Sequence, residues 1–563
     1  MLAILGAGML IVWSGQDNAT TAAAETAVSI AGEVVDPQGE PIRGAEVHLN
    51  TEGVDQETIA DLAPETQPNG TFVIDLEPQI AETLQSLSLE LERPHFEPVD
   101  YELTESQIQE LQRHESVRVP TLTMQRRVTA GFWVASLTFA GVLILIAFER
   151  LHNTMAALLG VAVIFTTSFV GGAITPDLFI FDFQRALEFV DFDVIFLVMG
   201  MMIVISVIEE TGIFQWMAYQ SYRLSRGRAW LLVTILMVIT AVASALLDNV
   251  TTMLLMTPMT IQIALALGMN PLTLLLPEIL ASNIGGISTL IGTPTNIMIG
   301  SFANIGFNDF VANLTPGVLL AQLLLTVYVL LRYRKKFFAR SKGPSESLLD
   351  MLRESGQITE PDTLKRAGFV FIVMVIFFVI GERFHLVPAV TALVGAVVML
   401  LWVSPGVEEM LKVVDWTTLM FFIALFMVVG AIQEVGLISM IAVGISNVVG
   451  ESLRTTILVL VWSAALLSGV IANIPFTAAM LPVVGFLSRT VPGATSNVLF
   501  YGLSIGSAMG GNSSLIGASA NMVTAGIAER AGYKITYIEF LKVGLPATVI
   551  TVAAGTLWLF IRF

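Results

Sequence analysis

Residues 283–296 read NIGGISTLIGTPTN in the middle of an apolar run, and residues 508–521 read AMGGNSSLIGASAN, identical at seven of fourteen positions at an offset of 225. Gly, Asn, Ser and Pro clustered in such text break a helix. In hydrocarbon a helix is broken only where protein or a water-lined cavity satisfies the freed N–H and C=O groups. Two breaks in matched surroundings therefore imply a duplicated frame. Upstream, LLDNVTTMLLMTP at 246–258 returns as VIANIPFTAAMLP at 470–482, an offset of 224 that pairs Asn249 with Asn473. ERLH at 149–152 returns as ERFH at 382–385, and Glu210 and Gly212 return as Glu434 and Gly436. Apolar composition alone would not preserve these polar marks, so the chain is an internal duplication.

Composition sets this frame in a membrane. The 563 residues are 55% apolar and 13% charged, with a mean hydropathy of +0.77, whereas soluble domains are about 25% charged. The net charge of −18 is local: residues 1–125 hold 22 acidic and 4 basic side chains, and the remainder balances. Cysteine is absent, which removes disulfides, thiolate metal sites and cysteine nucleophiles. No nucleotide loop, HExxH signature or Ser/His/Asp arrangement appears, so neither an enzyme nor a cofactor is expected. Nothing in the pattern points to nucleic acid.

Residues 1–27 form either a signal peptide or a short uncleaved anchor, since the apolar stretch of 13 residues is shorter than the about 20 a spanning helix needs. Residues 28–123 change to short alternating runs joined by turn residues at 36–39 and 69–70, which predicts a small extracytoplasmic β-sandwich. The run GEVVDPQGEPIRGAEVHL in it resembles carboxypeptidase-regulatory-like or transthyretin-like domains, a solvated spacer or docking module without chemistry. His48, His95 and His114 lack ligand spacing and receive no role. Seven apolar segments follow within 130–333, near 131–148, 154–172, 194–210, 231–247, 250–268, 272–300 and 316–333. Seven more lie within 366–563, near 366–382, 388–404, 416–434, 456–472, 474–490, 497–527 and 543–561. The linker between them, 334–365, is rich in Lys and Arg and so cytoplasmic. Arg223, Arg226 and Arg228 likewise lie inside, and the acidic loop of Asp177, Asp182, Glu188 and Asp191 outside. Taking 231–268 as one re-entrant hairpin leaves five spans per half, an odd number that inverts the second half. The expected fold is thus an all-α polytopic membrane protein with inverted repeats, five spans plus a re-entrant hairpin per half. This scheme puts the C-terminus near Phe563 and the β-domain outside, and the Glu408-Glu409 loop in the cytoplasm.

Two constellations could carry transport. The first is the pair of breaks, with Ser288, Thr289, Gly292, Thr293, Thr295 and Asn296 facing Asn512, Ser513, Ser514, Gly517, Ser519 and Asn521. These offer helix N-termini to anions and neutral oxygens to Na⁺; close helix packing is the competing explanation. The second is Asp248, Asn249, Thr251 and Thr252, opposite Asn473 and Thr477. A carboxylate in apolar text must be paired, ion-bound or protonatable, which makes Asp248 the candidate coupling group; satisfaction by local N–H groups at a hairpin tip is the alternative. Candidate Na⁺ positions are Asn249, Gly292 and Asn296, and Asn473, Gly517 and Asn521. His152 and His385 read as helix caps or gates, and Glu209, Glu210 and Glu434 as interfacial ends of spans.

The runs ERLHNTMAALLG, FDVIFLVMGMMIVISVIEETGIF, LLDNVTTMLL and ASNIGGISTLIGTPTNIMIGS resemble the ion transporter superfamily over about residues 130–563. The nearest branch is the arsenite and sodium/proton permease-like one (ArsB/NhaD), which includes P-protein and citrate-transporter-like domains. The resemblance implies two re-entrant hairpins, two broken helices, a homodimer and elevator-like alternating access. It makes Asp248, Asn249, Gly292, Thr293 and Asn296, with Asn473, Gly517 and Asn521, the ion and substrate loops. Where that branch shows Gly-Asp-Pro-Pro-Asn, this chain has Gly292-Thr293-Pro294-Thr295-Asn296, closer to sodium/carboxylate cotransporters. The expected function is a Na⁺- or H⁺-coupled secondary transporter of a small ion or carboxylate anion in a bacterial plasma membrane. A Na⁺/H⁺ antiporter using Asp248 is the alternative, and a channel or membrane-anchored receptor the alternative of another class.

Overall fold

The computed structural model describes residues 28–37, 39–51, 64–148, 150–337, 353–354, 356–403, 406–450 and 452–563; the leader, Glu149 and most of the linker lie outside them. The chain divides into two compact units between Val128 and Thr129.

In the first unit, β1 (Val28–Val35) alternates buried and half-buried side chains along its whole length, the period-2 pattern of a half-covered sheet. It pairs antiparallel with β3 (Thr71–Leu76) and parallel with the two-residue strands β6 (Val117–Arg118) and β7 (Leu122–Thr123). A second sheet runs β2 (Glu46–Thr51), β4 (Leu87–Glu92), β5 (Val99–Glu102), antiparallel throughout. Ile30, Phe72, Ile74, Leu89 and Leu91 from both sheets share one core. The turn residues act as their types dictate: Gly39 and Gly70 take φ of +81° and +76°, which glycine adopts without strain.

The second unit holds eighteen helices of ten or more residues among the described residues, in two series of nine. The first is α1 (Ala130–Ala147), α2 (Asn153–Thr166), α3 (Phe192–Glu210), α4 (Ile213–Ser225), α5 (Ala229–Leu246), α6 (Asn249–Ala266), α7 (Leu272–Gly285), α8 (Pro294–Ala303) and α9 (Phe307–Arg332). The second is α10 (Pro361–Ile380), α11 (Pro388–Val403), α12 (Trp416–Glu434), α13 (Leu437–Val449), α14 (Leu453–Ser468), α15 (Asn473–Thr490), α16 (Val498–Gly510), α17 (Ser519–Arg530) and α18 (Tyr537–Arg562). Nine helices among the described residues are long and apolar enough to cross a bilayer, so the chain is a mostly helical polytopic membrane protein. Outer helices such as α1 expose Trp133, Leu137 and Ile144, side chains suited to lipid. Most of α3 and α12 is buried.

The long runs 272–300 and 497–527 are each split into two helices at the glycine breaks, as their sequence leads one to expect. The short helices α4 and α13 add to the expected seven segments per half: α4 is mixed in polarity, and α13, though apolar, is only thirteen residues long, shorter than a span.

Packing crosses between the series. α3 packs on α11, α2 on α12, α6 on α17, α8 on α15 and α9 on α18. Packing within a series is also close, as between α5 and α7 and between α14 and α16. At the end of α12, the Glu434 side chain is 8% exposed and its carboxylate is held 3.0 Å from Arg185, which also pairs with Glu188. The ion pair ties a connection of the first series to a helix of the second.

Candidate functional site

The two breaks are held by the same bonds at shifted numbers. Ser244 Oγ donates to Ser282 O at 2.8 Å, and Ser468 Oγ to Ser507 O at 2.6 Å. Thr289 Oγ1 donates to Ala245 O, and Ser514 Oγ to Gly469 O. Asn296 Nδ2 reaches Ile287 O and Thr289 O at 3.1 and 2.8 Å; Asn521 Nδ2 reaches Gly511 O and Ser514 O, both at 2.9 Å. The side-chain amides thus replace the helical donors that each break removes. Glycine is required for the closeness of the strands: a Cβ on Gly286 would lie 2.6 Å from Gly292 O, and one on Gly511 2.9 Å from Gly517 O.

Between the breaks the two series meet in a buried amide cluster. Asn249 Nδ2 donates to Asn283 Oδ1 at 2.7 Å, and Asn283 Nδ2 donates to Asn512 Oδ1 at 2.8 Å and Asn521 Oδ1 at 2.9 Å. Ser504 Oγ donates to Asn296 Oδ1 at 2.6 Å. The carboxamide oxygens of Asn296 and Asn521, proposed from sequence as Na⁺ ligands, are therefore already acceptors of protein hydrogen bonds. Asn283 and Ser504 escaped the sequence reading because their repeat counterparts, Ala508 and Ile279, are apolar. Thr293 and Thr295 bond to each other at 2.8 Å, with Thr293 capping α8. Ser288 offers its carbonyl to Thr315, and the buried Thr477 hydroxyl has no hydrogen-bond partner among the described residues. Ser513 lies against Gly469. Asn473 donates its backbone N–H to Gly517 O at 3.2 Å.

Asp248 is elsewhere. It is half-buried, caps α6 by accepting from Val250 N and Thr251 N at 2.8 Å each, and accepts from the Thr251 hydroxyl. Thr252 Oγ1 donates to its carbonyl at 2.9 Å. This is the local capping arrangement weighed as the alternative from sequence. Its carboxylate faces a cavity of 590 Å³, within the about 300–1,000 Å³ of small-molecule sites. First-turn or capping residues of six helices line that cavity: His152 of α2, Asp248 of α6, Pro294 of α8, Asp415 of α12, Ala472 and Pro475 of α15, and Ser519 of α17. Helix N-termini carry partial positive charge and free N–H groups. Asp415 caps its helix as Asp248 does, accepting from Thr418 N at 3.2 Å and from the Thr418 hydroxyl, and His152 caps α2. Glu209, at the far end of α3, also lines the cavity.

A second cavity of 430 Å³ lies at the opposite end of α3. It is lined by Asp193, Ser301, Asn304, Asp309, Glu382 and His385, the last at a left-handed φ of 54°. Ile297 of α8 walls both cavities.

Residues 143–506 match the sequence model of the family described as "Citrate transporter". The chain belongs to the citrate transporter family. Its relatives include an uncharacterized transporter of Mycobacterium tuberculosis, 35% identical over 76% of this chain and 98% of the relative. The human P protein is 33% identical over 76% of this chain and 59% of its own length. Among solved structures, the citrate transporter family member shares its fold with the YdaH transporter of Alcanivorax borkumensis, at a TM-score of 0.51 and 13% identity over 76% of this chain and 98% of that one. MtrF of Neisseria gonorrhoeae gives 0.51 and 12% over 77% and 94%. Family and fold together make this citrate transporter family chain a membrane transporter.

Proposed function

We propose that the protein is a secondary active transporter that moves a small carboxylate anion, coupled to Na⁺ or H⁺, by elevator-type alternating access. The observation that carries this reading is the convergence of six helix N-termini on one cavity. An anion there gains the partial positive ends of the helices; those of α6 and α12 are offset by the carboxylates of Asp248 and Asp415, so the ends of α15 and α17, which have no side-chain cap, are the ones left for it. The family's description makes citrate the first substrate to test. The two equivalent breaks and the packing across the series support inverted repeats. In that topology the larger cavity opens to the cytoplasm and the smaller one to the outside, where the β-unit, read as a small sandwich, also lies. The remaining parts of the proposal are a bacterial plasma membrane and a homodimer, the assembly that would hold a fixed scaffold around two moving parts.

Purified protein in proteoliposomes should take up labelled citrate against its gradient when Na⁺ or H⁺ is imposed, and exchange it in counterflow. Na⁺-driven proton movement with no citrate uptake would instead support an antiporter. In that case Asp248→Asn, which preserves the oxygen that caps α6, should abolish exchange. Absence of citrate uptake under every gradient rejects citrate as the substrate.

A further inference from the structure

We propose that Glu278 carries the coupling proton, a role that rests on the transport reading above and assigns it to a residue outside the amide cluster. Glu278 is in the middle of α7 and is fully buried. Oε1 accepts from Thr240 Oγ1 of α5 at 2.9 Å; Oε2 is buried and, among the described residues, accepts no formed hydrogen bond. Thr260 of α6 lies beside the carboxyl, and its buried hydroxyl has no formed bond either. An ionised carboxylate in such a place is costly without a counter-charge, and none is supplied. The flanking helices α5 and α6 contain no titratable residue. Of the other helices packed on α7, α9 carries Asp309, Tyr328 and Arg332, α16 Tyr501, α17 Glu529 and Arg530, and α18 Tyr537, Glu539, Lys542 and Arg562. None of these forms an ion pair with Glu278 among the described residues.

The second series shows that packing does not demand this group. At the equivalent offsets, Glu278, Thr240 and Thr260 become Leu503, Ala464 and Val484, all fully buried. A polar triad has replaced an apolar one in one half only. It also connects to the amide cluster. One turn from the Thr240–Glu278 bond, Ser282 Oγ lies 3.3 Å from Ser244 Oγ and 3.4 Å from Asn249 O, and Asn249 bonds Asn283. In each cycle the Glu278 carboxylate takes one proton from water on one side, becomes neutral, and returns it to water on the other, so one positive charge moves per proton carried.

Infrared difference spectra of the wild-type protein in liposomes, taken between about pH 5 and 9, should show the carbonyl band of a protonated buried carboxyl that disappears as pH rises and is missing from Glu278→Gln. Identical spectra for the two proteins, or a band lost in the variant that never responds to pH, overturn the proposal. In parallel, Glu278→Gln should keep citrate counterflow and lose uptake driven by a pH gradient; retention of gradient-driven uptake also overturns it. If wild-type protein moves no citrate, the citrate reading fails and the infrared titration alone decides the role of Glu278. If Glu278→Gln does not fold, Thr240→Val removes the one donor to Oε1 and should shift the pH at which the band is lost, and an unchanged midpoint counts against the proposal.

Discussion

Asn283 satisfies its own amide through three others, accepting from Asn249 and donating to Asn512 and Asn521. Replacing it by alanine, the residue at the equivalent position 508, leaves the Asn249 amide without its acceptor in a buried setting. It also removes a donor from two carboxamide oxygens. Each orphaned buried group costs about 1–3 kcal/mol, so Asn283→Ala should lower the unfolding temperature of the purified protein and weaken citrate counterflow. Asn283→Asp should be worse, because an oxygen would then face the two oxygens of Asn512 and Asn521. A variant with unchanged unfolding temperature would mean that the cluster contributes nothing to stability. The same scale separates Asp248 from Glu278. Sequence singles out Asp248 because its neighbours are apolar, yet its place at a helix N-terminus supplies the N–H groups that satisfy it. Glu278 lies equally deep in apolar text, and that signal was available; what sequence lacks is the knowledge that its second oxygen finds no donor.

Helices α5 and α7 approach each other through Gly285, where a Cβ would lie 2.5 Å from Ala241 Cα, and α14 and α16 do the same through Gly510 and Ala465. Backbone atoms cannot move aside as a flexible side chain does, so Gly285→Ala must separate the two helices. The expected cost is about 1–3 kcal/mol or more, seen as a lower unfolding temperature. Gly141→Ala in α1 meets nothing within 4 Å and should be neutral or stabilising by up to about 1 kcal/mol through helix propensity. Equal effects at the two positions would contradict the packing argument. These pairings explain what was legible beforehand. The breaks, the duplication and the paired Asn296 and Asn521 could be read because polar residues recur at fixed offsets. The contacts that build the site could not, since Asn283 to Asn512 and Ser504 to Asn296 join positions that the repeat offset does not relate. Helix α4 was hidden for another reason: IFQWMAYQSYRLS has an amphipathic pattern, which hydropathy averaging erases, whereas α13 is apolar but only thirteen residues long.

Helix α3 places Asp193 in its first turn beside one cavity and Glu209 in its last turn beside the other, a separation of about 24 Å at 1.5 Å per residue. Between them stands the second limb of a broken helix, with Pro294 on one cavity, Gly300 and Ser301 on the other, and Ile297 on both. Ile297, with the neighbouring pairs Leu197–Val198 and Leu290–Ile291 divided between the cavities, forms the barrier along this path, and it belongs to the same short helix that Thr293 caps and Asn296 stitches to the break. Movement of α8 with its break would therefore exchange which cavity reaches the site, without unfolding either. If that is how access alternates, the barrier must be impermeable in every state, and shortening it should join the cavities. Ile297→Ala should let labelled citrate and protons equilibrate across proteoliposomes at a rate independent of any imposed gradient. Ile297→Leu, which preserves the volume, should remain tight and coupled. A tight Ile297→Ala protein would place the barrier in the whole thickness of the moving helices instead, and would favour a large rigid-body step over a thin gate.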